Sequence, residues 1–264
     1  MKRIDQELVS RSLARSRTEA VRFLESSRVL LDGQVVTKSA KKVGPQQALE
    51  VLPSEETEYV SRAGHKLAGA LDVFSDIQPH NLRCLDAGAS TGGFTDVLLR
   101  RGAATVVAVD VGHDQLVEVI RQHPQVVVHE GMNVRYMTPE DIGGEVDLVV
   151  ADLSFISLRL VMPALANATR PGGALLLMAK PQFEVGREHL ARTGVVTSAK
   201  LRRSAVENVI ASARSVGLNL AGLARSPLPG QDGNVEFFLR LAKPLENNPQ
   251  VAIDALMLDR VDYS

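Results

Sequence analysis

The sequence predicts an α/β protein, built on a mostly parallel sheet with a small α+β module in front. Three observations carry this. First, short and nearly continuous apolar runs recur between residues 83 and 241 with helical patterns between them. Strands of a parallel sheet buried on both faces read in this way. Second, residues 1–44 hold ten Lys/Arg against five Asp/Glu, a charge of +5, so the other 220 residues carry −6 of a net −1. That asymmetry marks a basic module attached to a neutral or acidic body. Third, the acidic stretch PSEETE at 53–58 lies between the two patterns and reads as a linker.

In the basic module, Ile4, Leu8 and Leu13 mark one helix, and Ala20, Phe23 and Leu24 mark a second. Ser16 is placed to cap the second helix, with Glu19 three residues on as its capping-box partner. RVLLDGQVVTK reads as two β segments around the Asp32-Gly33 turn, and QALEVLP adds a strand. From Tyr59 the pattern changes. YVSRAGHKLAGALDVF predicts a helix with Leu67, Leu71 and Phe74 on one face. Strands are then expected at Arg83–Asp86, Thr105–Val111, Val126–His129, Val146–Asp152, Ala174–Lys180, Leu218–Ala224 and Glu236–Leu241, with helices at 94–101, 114–122, 157–168 and 198–216. The last two strands are joined by a Pro/Gly-rich turn without a helix, which predicts an antiparallel hairpin at the end of the sheet. Residues 245–264 read as a tail, helical over VAIDALMLDRV or partly disordered.

Composition narrows the function classes. The chain is 264 residues long, 45% hydrophobic and 23% charged, an ordinary globular balance. One cysteine, Cys84, rules out a disulfide framework and fits a reducing cytoplasm; its apolar surroundings make it a buried small hydrophobe. MKRIDQELVS has no apolar core of a secretory signal, and no window reaches the ~18 apolar residues of a membrane helix. No metal-ligand spacing is assigned.

Ligands of such sheets bind outside the carboxyl ends of the strands. The first strand runs into CLDAGASTGGF, where Asp86, Gly88, Ser90, Thr91, Gly92 and Gly93 form a glycine-rich turn into a helix. Its G-x-x-x-G-G spacing differs from the dinucleotide fingerprint, and no Walker lysine is present. Asp110 closes the second strand, 22 residues after Gly88, where an acid can accept hydrogen bonds from ribose hydroxyls. A glycine turn with a ribose-binding acid and no phosphate signature suits S-adenosyl-L-methionine. Asp152 ends the fourth strand in ADLSF, which lacks the D/N-P-P-Y/F tetrapeptide of many amino-methylating enzymes. Lys180 ends the fifth in LLLMAKPQFEVG, Glu236 opens the last, and His65-Lys66 start the helix before the first. Singly, each is better explained by a solvated end; together they are expected on one crevice.

The segments SRAGHKL, CLDAGASTGGFTDVLL, VAVDVGHDQL, VVADLSFISL, KPQFEVG and LPGQDGNVEFFL resemble the TlyA (hemolysin-A-like) ribosomal RNA methyltransferases, a branch of the FtsJ-like ribose 2′-O-methyltransferases. The resemblance covers residues 2 to about 242. It implies a Rossmann-like S-adenosylmethionine-dependent methyltransferase domain at 59–244 and an RNA-binding domain like that of ribosomal protein S-four at 1–58. The chain departs from the family at Ala63-Gly64, where Gly-Ala is common, and at Ser27, where a glycine usually precedes the first hairpin strand.

The resemblance also implies a Lys-Asp-Lys-Glu tetrad at Lys66, Asp152, Lys180 and Glu236, and 2′-O-methylation of cytidine in large-subunit, and in some members small-subunit, ribosomal RNA. A ribose hydroxyl is a poor nucleophile until its proton is removed. Lys180 is expected to be the general base, oriented by Asp152, with Lys66 stabilising the developing alkoxide and Glu236 holding Lys66 or the ribose. Asn133 is expected either to read the adenine edge or to serve as a turn residue. Arg3, Arg11, Arg15, Arg17, Arg28, Lys41 and Lys42 are expected to contact RNA phosphates or, on the bland reading, to form a solvated face. Two other classes compete: a membrane-lysing hemolysin, and a non-catalytic RNA-binding assembly factor.

Overall fold

The computed structural model describes residues 2–14, 16–25, 27–52, 59–230, 232–245 and 255–264. The expected linker at 53–58, Arg15 and much of the tail lie outside the described residues. The chain divides into two compact units, Met1–Glu58 and Tyr59–Ser264.

In the first unit, β1 (Lys2–Arg3) leads into helix α1 (Ile4–Ser10), followed by α2 (Arg17–Glu25), β2 (Val29–Leu31), β3 (Gln34–Val35), β4 (Lys42–Val43) and β5 (Leu49–Val51). The β2–β3 hairpin turns at Asp32-Gly33, both with positive φ, and β5 pairs on the other side of β2. The β1–β4 pair has no counterpart in the sequence reading, because two-residue strands carry no periodicity. Helix α1 stops at Ser10, short of Leu13, because Ser12 turns left-handed at φ 59°. Ser16 Oγ accepts from the Glu19 amide at 3.2 Å, the expected cap. Ser27 sits at φ 59°, a conformation glycine adopts without a Cβ penalty. The glycine that the resemblance implies at this position would meet a backbone demand that a serine meets here. Ile4, Leu8, Leu24, Val29 and Val43 form the core of this unit.

The second unit opens with α3 (Arg62–Val73). It continues through β6 (Arg83–Ala87), α4 (Gly93–Arg100), β7 (Thr105–Asp110), α5 (Glu118–Arg121), β8 (Val126–Glu130), β9 (Val146–Ala151), α6 (Leu158–Ala168), β10 (Thr169–Ala179), α7 (Ala199–Ser215), β11 (Asn219–Arg225), β12 (Phe237–Ala242) and α8 (Ala255–Asp259). The seven strands lie in the order β11-β12-β10-β9-β6-β7-β8. All neighbours are parallel except at β12, which runs antiparallel to both β10 and β11. The expected last hairpin is thus folded inward, with β12 between its partner and β10. Side chains alternate across the sheet. Cys84, Val106, Leu148, Val150, Leu176 and Met178 pack with α3 and α4. Leu85, Val107, Val149, Leu175 and Leu177 pack with α6 and α7. Burial pushes the Cys84 thiol up to about 12, so it is an inert core group.

The helix expected at 114–122 shrinks to one turn. Asp114 is left-handed at φ 55°, a conformation that interrupts a helix, and the Arg121 side chain of the surviving turn donates to Glu130 Oε1 at 2.6 Å. Among the described residues no helix is long and apolar enough to cross a membrane.

Candidate active site

The candidate site forms where three neighbouring strands reach one edge of the sheet. Ala151, the last residue of β9, pairs with Leu177 of β10, and Ala179, the last residue of β10, pairs with Phe237, the first of β12. Asp152, Lys180 and Glu236 each lie one residue beyond these strand ends. Ala87, the last residue of β6, also pairs with Ala151, so the turn at Gly88 opens on the same edge. β6 is bordered by β7 on one side and β9 on the other, the point where strand order reverses and ligands of such sheets bind.

Two lysine–carboxylate pairs result. Lys180 Nζ lies 2.6 Å from Asp152 Oδ1 and donates to Ser154 Oγ at 2.9 Å. The Asp152 contact is an ion pair without hydrogen-bond alignment, since that oxygen finds no aligned donor. Lys180 keeps an extended backbone at φ −111° and ψ 101°, as expected before Pro181. Lys66 Nζ, from α3, lies 2.5 Å from Glu236 Oε2. Both partners are buried.

Lys66 reaches this edge because α3 packs closely on α4. A Cβ on Gly64 would collide with the Tyr59 side chain and come 3.1 Å from the Gly93 carbonyl oxygen. A Cβ on Gly69 would come 2.8 Å from Pro227. The Ala63-Gly64 order therefore matters here, because the glycine stands where no side chain fits. Asp96 of α4 accepts from the Val60 amide at 2.9 Å and anchors the chain entering α3.

The glycine-rich turn is built by close approach. Gly88 (φ 88°) has the Asp152 carbonyl oxygen 3.1 Å from where a Cβ would sit, and Gly92 (φ 96°) is the left-handed N-cap of α4. Ser90 also has positive φ, and its amide donates to Asp110 Oδ2 at 2.8 Å while Gly112 donates to Oδ1 at 2.7 Å. Asp110 thus shapes the loop it was expected to serve. Asp86 is fully buried; Thr95 donates to its Oδ2 at 2.6 Å, and Oδ1 has no partner. Burial, which outweighs the Thr95 bond, pushes this carboxyl up to about 7. Asn133 accepts from the Arg135 amide at 3.0 Å, capping a 3-10 turn. Its carbonyl oxygen does the turn work that was one of its two readings.

Three residues near the site carried no signal in the sequence reading. Ser154 holds Lys180 from two residues beyond Asp152. Glu184, four residues after Lys180, is buried and accepts from Ser157 Oγ at 2.6 Å and the Leu158 amide at 2.7 Å. Burial raises its carboxyl, and it ties the turn after Lys180 to the start of α6. Phe155 is 92% exposed, sits at φ 63° and contacts the Phe183 ring at 5.4 Å between centroids. A bulky residue in the left-handed region is an outlier that points to function. Lys180 Nζ lies 6.0 Å from the Phe183 centroid.

The basic residues of the first unit divide into two sets. Arg3 and Arg17 both donate to the buried Asp5 carboxylate, at 3.0 and 2.9 Å, while their side chains stay 44% and 59% exposed. Burial pushes Asp5 up, but the two arginines outweigh it and hold the carboxyl below its ordinary value. Lys41 and Lys42 are exposed. Arg11 spends its donors internally, on Glu7 Oε1, the Gln47 carbonyl and the Gly44 carbonyl. Arg28 donates to the Leu52 carbonyl at 2.7 Å and covers the Phe23 ring.

A family model described as FtsJ-like methyltransferase matches residues 59–243, and a model of the S4 domain matches residues 2–49. The chain is 51% identical over 239 residues to the 16S/23S rRNA (cytidine-2′-O)-methyltransferase TlyA of Mycobacterium tuberculosis, covering 90% of this chain and 89% of that one. It is 35% identical over 236 residues to Hemolysin A of Brachyspira hyodysenteriae, covering 89% and 97%. A solved structure from Streptococcus thermophilus that carries a hemolysin name superposes with a TM-score of 0.76 at 37% identity, covering 98% of this chain and 93% of that one.

Proposed function

Because the chain belongs to the FtsJ-like methyltransferase family and carries an S4 domain, we propose that it transfers a methyl group from S-adenosyl-L-methionine to the 2′-hydroxyl of a cytidine in ribosomal RNA. The relative from Mycobacterium tuberculosis, which is named for that reaction, supports the substrate class. The observation that carries the reading is the shared sheet edge, where the Lys180–Asp152 and Lys66–Glu236 pairs stand beside the glycine-rich turn. The substrate is a large-subunit RNA cytidine, with the small subunit as a second substrate, and the work is done in the cytoplasm where ribosomes assemble.

The residues around the turn suit a cationic nucleoside cofactor. Gly88, Gly92 and Gly93 leave no room for side chains because Leu153 and Asp152, Leu116 and Ile120, and Ser61 with Gly64 pack against them, and this packing fixes the turn that would meet the cofactor. Asp152 supplies negative charge; Asp86, fully buried with one oxygen unpartnered and its carboxyl pushed up to about 7, would ionise fully only with the cofactor's positive charge in place, and Asp110 with Ser90 and Thr91 would border the ribose. Asn133, whose side-chain oxygen caps the turn, would meet the adenine edge with its amide nitrogen. The bound cofactor would supply an electrophilic methyl carbon on a sulfonium.

Lys180 accepts the proton of the ribose hydroxyl. Asp152 and Ser154 hold its nitrogen, and it acts as base once the proton of its ammonium has passed to Asp152 or to solvent. Asp152 and Ser154 aim its nitrogen. Lys66 places a positive charge by the developing alkoxide, and Glu236 fixes Lys66. General-base removal contributes about 10²–10⁴-fold, and fixed alignment of the reacting groups adds to this. Arg3, Arg17, Lys41 and Lys42 contact phosphates and give a salt-dependent, sequence-independent grip.

Mass spectrometry of RNA from separated ribosomal subunits, incubated with the protein and S-adenosylmethionine, tests this reading. The expected product is 2′-O-methylcytidine, formed by the wild type and lost in Lys180→Ala while cofactor binding is retained. Wild-type rates in a folded Lys180→Ala variant would remove Lys180 as base. Lysis of membranes without any methyl incorporation would overturn the whole assignment in favour of the hemolysin name.

A further inference from the structure

The reach of Glu236 to Lys66 depends on where residues 234–237 sit, and both flanks of Glu236 are pinned from behind. On one side Asn234, 3% exposed, accepts from the Val196 amide at 3.0 Å and donates to the Gly194 carbonyl at 3.2 Å. On the other side Phe237, fully buried, packs its ring against Tyr263 with centroids 5.1 Å apart. One side chain joins the two supports. Arg202, near the start of α7 and 8% exposed, donates from Nε to the Val196 carbonyl at 2.9 Å and from Nη1 to the Tyr263 carbonyl at 2.8 Å.

We propose that Arg202 is a positioning residue for Glu236, bracing the strap at 194–196 and the segment around Tyr263 so that the strand start between them is held in place. The proposal rests on the reading of Glu236 as a member of the active site. Its physical basis is the choice of residue. Among the described residues no carboxylate forms an ion pair with Arg202; its two hydrogen bonds go to backbone carbonyls. Burying a charge whose contacts are backbone dipoles, with the Asp262 carboxylate acting only from farther off, is costly, and a hydrophobe of similar volume is often as good or better for stability alone. What a guanidinium adds is attachment at two points in a fixed plane. Here those points are the two segments that flank Glu236. Misplacement of a reacting or supporting group by about 1 Å can cost on the order of 10²-fold in rate.

The test is a mutant cycle in single-turnover methyl transfer to ribosomal subunits, with S-adenosylmethionine saturating. The variants are Arg202→Met, Arg202→Lys, Glu236→Gln and the combination of Arg202→Met with Glu236→Gln. Arg202→Met is expected to slow methyl transfer about tenfold, with the KM for RNA within about twofold of wild type. Arg202→Lys, which keeps a donor, recovers part of the rate. In the Glu236→Gln background the added Arg202→Met change costs less than about twofold, because the group it positions is already lost. An equal fold-loss in both backgrounds, or no loss on Arg202→Met, overturns the brace. If the methionine variant does not fold, the same cycle with Arg202→Lys decides between these outcomes. A Glu236→Gln variant as fast as wild type overturns the tetrad reading and the brace with it. A slow Glu236→Gln beside an unimpaired Arg202→Met overturns the brace alone.

Discussion

Lys66 and Glu236, 170 residues apart in sequence, meet at 2.5 Å with their side chains 9% and 2% exposed. Breaking a buried pair leaves a charge without its partner, at a cost of about 3–5 kcal/mol, whereas replacing both partners by hydrophobes is often neutral. Glu236→Ala is therefore expected to lower the unfolding free energy by about 3 kcal/mol. Lys66→Met combined with Glu236→Leu recovers most of that stability without recovering activity. Urea unfolding of the single and double variants measures this. Equal destabilisation in both would show that the pair is not the source.

Phe155 is held outward at positive φ beside Phe183, whose ring in turn lies 6.0 Å from Lys180 Nζ. An aromatic face so exposed can stack on a base of the RNA, worth about 1–3 kcal/mol by alanine substitution. Phe155→Ala is expected to weaken RNA binding by that amount and to leave cofactor affinity unchanged. Its thermal stability should not fall, since the wild-type ring buries little. Unaltered RNA affinity in a filter-binding titration would sink the stacking role.

Asp86 gives the protein a signature in pH. Its folded-state value of about 7 lies above the ordinary carboxylate value of 3.8. The folded state therefore binds the proton more tightly than the unfolded chain. The stability this contributes is complete below pH 3.8 and is lost as pH rises through about 7. Asp86→Asn, which cannot ionise, should become more stable relative to wild type by a few kcal/mol between these limits. Denaturation of both proteins across pH 4.5 to 8 compares them; a difference independent of pH contradicts the buried-acid account.

The two sets of arginines in the first unit should separate experimentally. Arg3→Ala and Arg17→Ala each remove an exposed guanidinium, and each should lower the salt slope of RNA binding by about 1. Arg11→Ala breaks internal bonds to the Gly44 and Gln47 carbonyls. It should cost on the order of 1–3 kcal/mol of stability in this unit and leave the slope near wild type. A slope lowered equally by all three changes would place Arg11 on the phosphates as well.

Much of this protein is written in local pattern. Apolar runs with charged ends marked six of the seven strands to within two residues, and only the run-in of β10 from Thr169 was missed, where Pro171 and Gly172 read as a turn. The glycine turn, Asp110 and the four charged end residues were legible because strand ends and glycines leave one-dimensional marks. What local pattern could not supply was anything set by contacts distant in sequence. The helix expected at 114–122 is cut short by the left-handed Asp114. Ser154, Glu184 and Phe155 gained their places only when the segments after β9 and β10 came together. The partner of each lysine depended on sheet order. Inserting β12 between β10 and β11 sets Glu236 beside the end of β10, and close packing of α3 on α4 carries Lys66 to it. Periodicity determines which residues face inward. Which of them meet is decided by strand order and by the glycines that let backbones approach, because those energies arise only once distant segments are in contact.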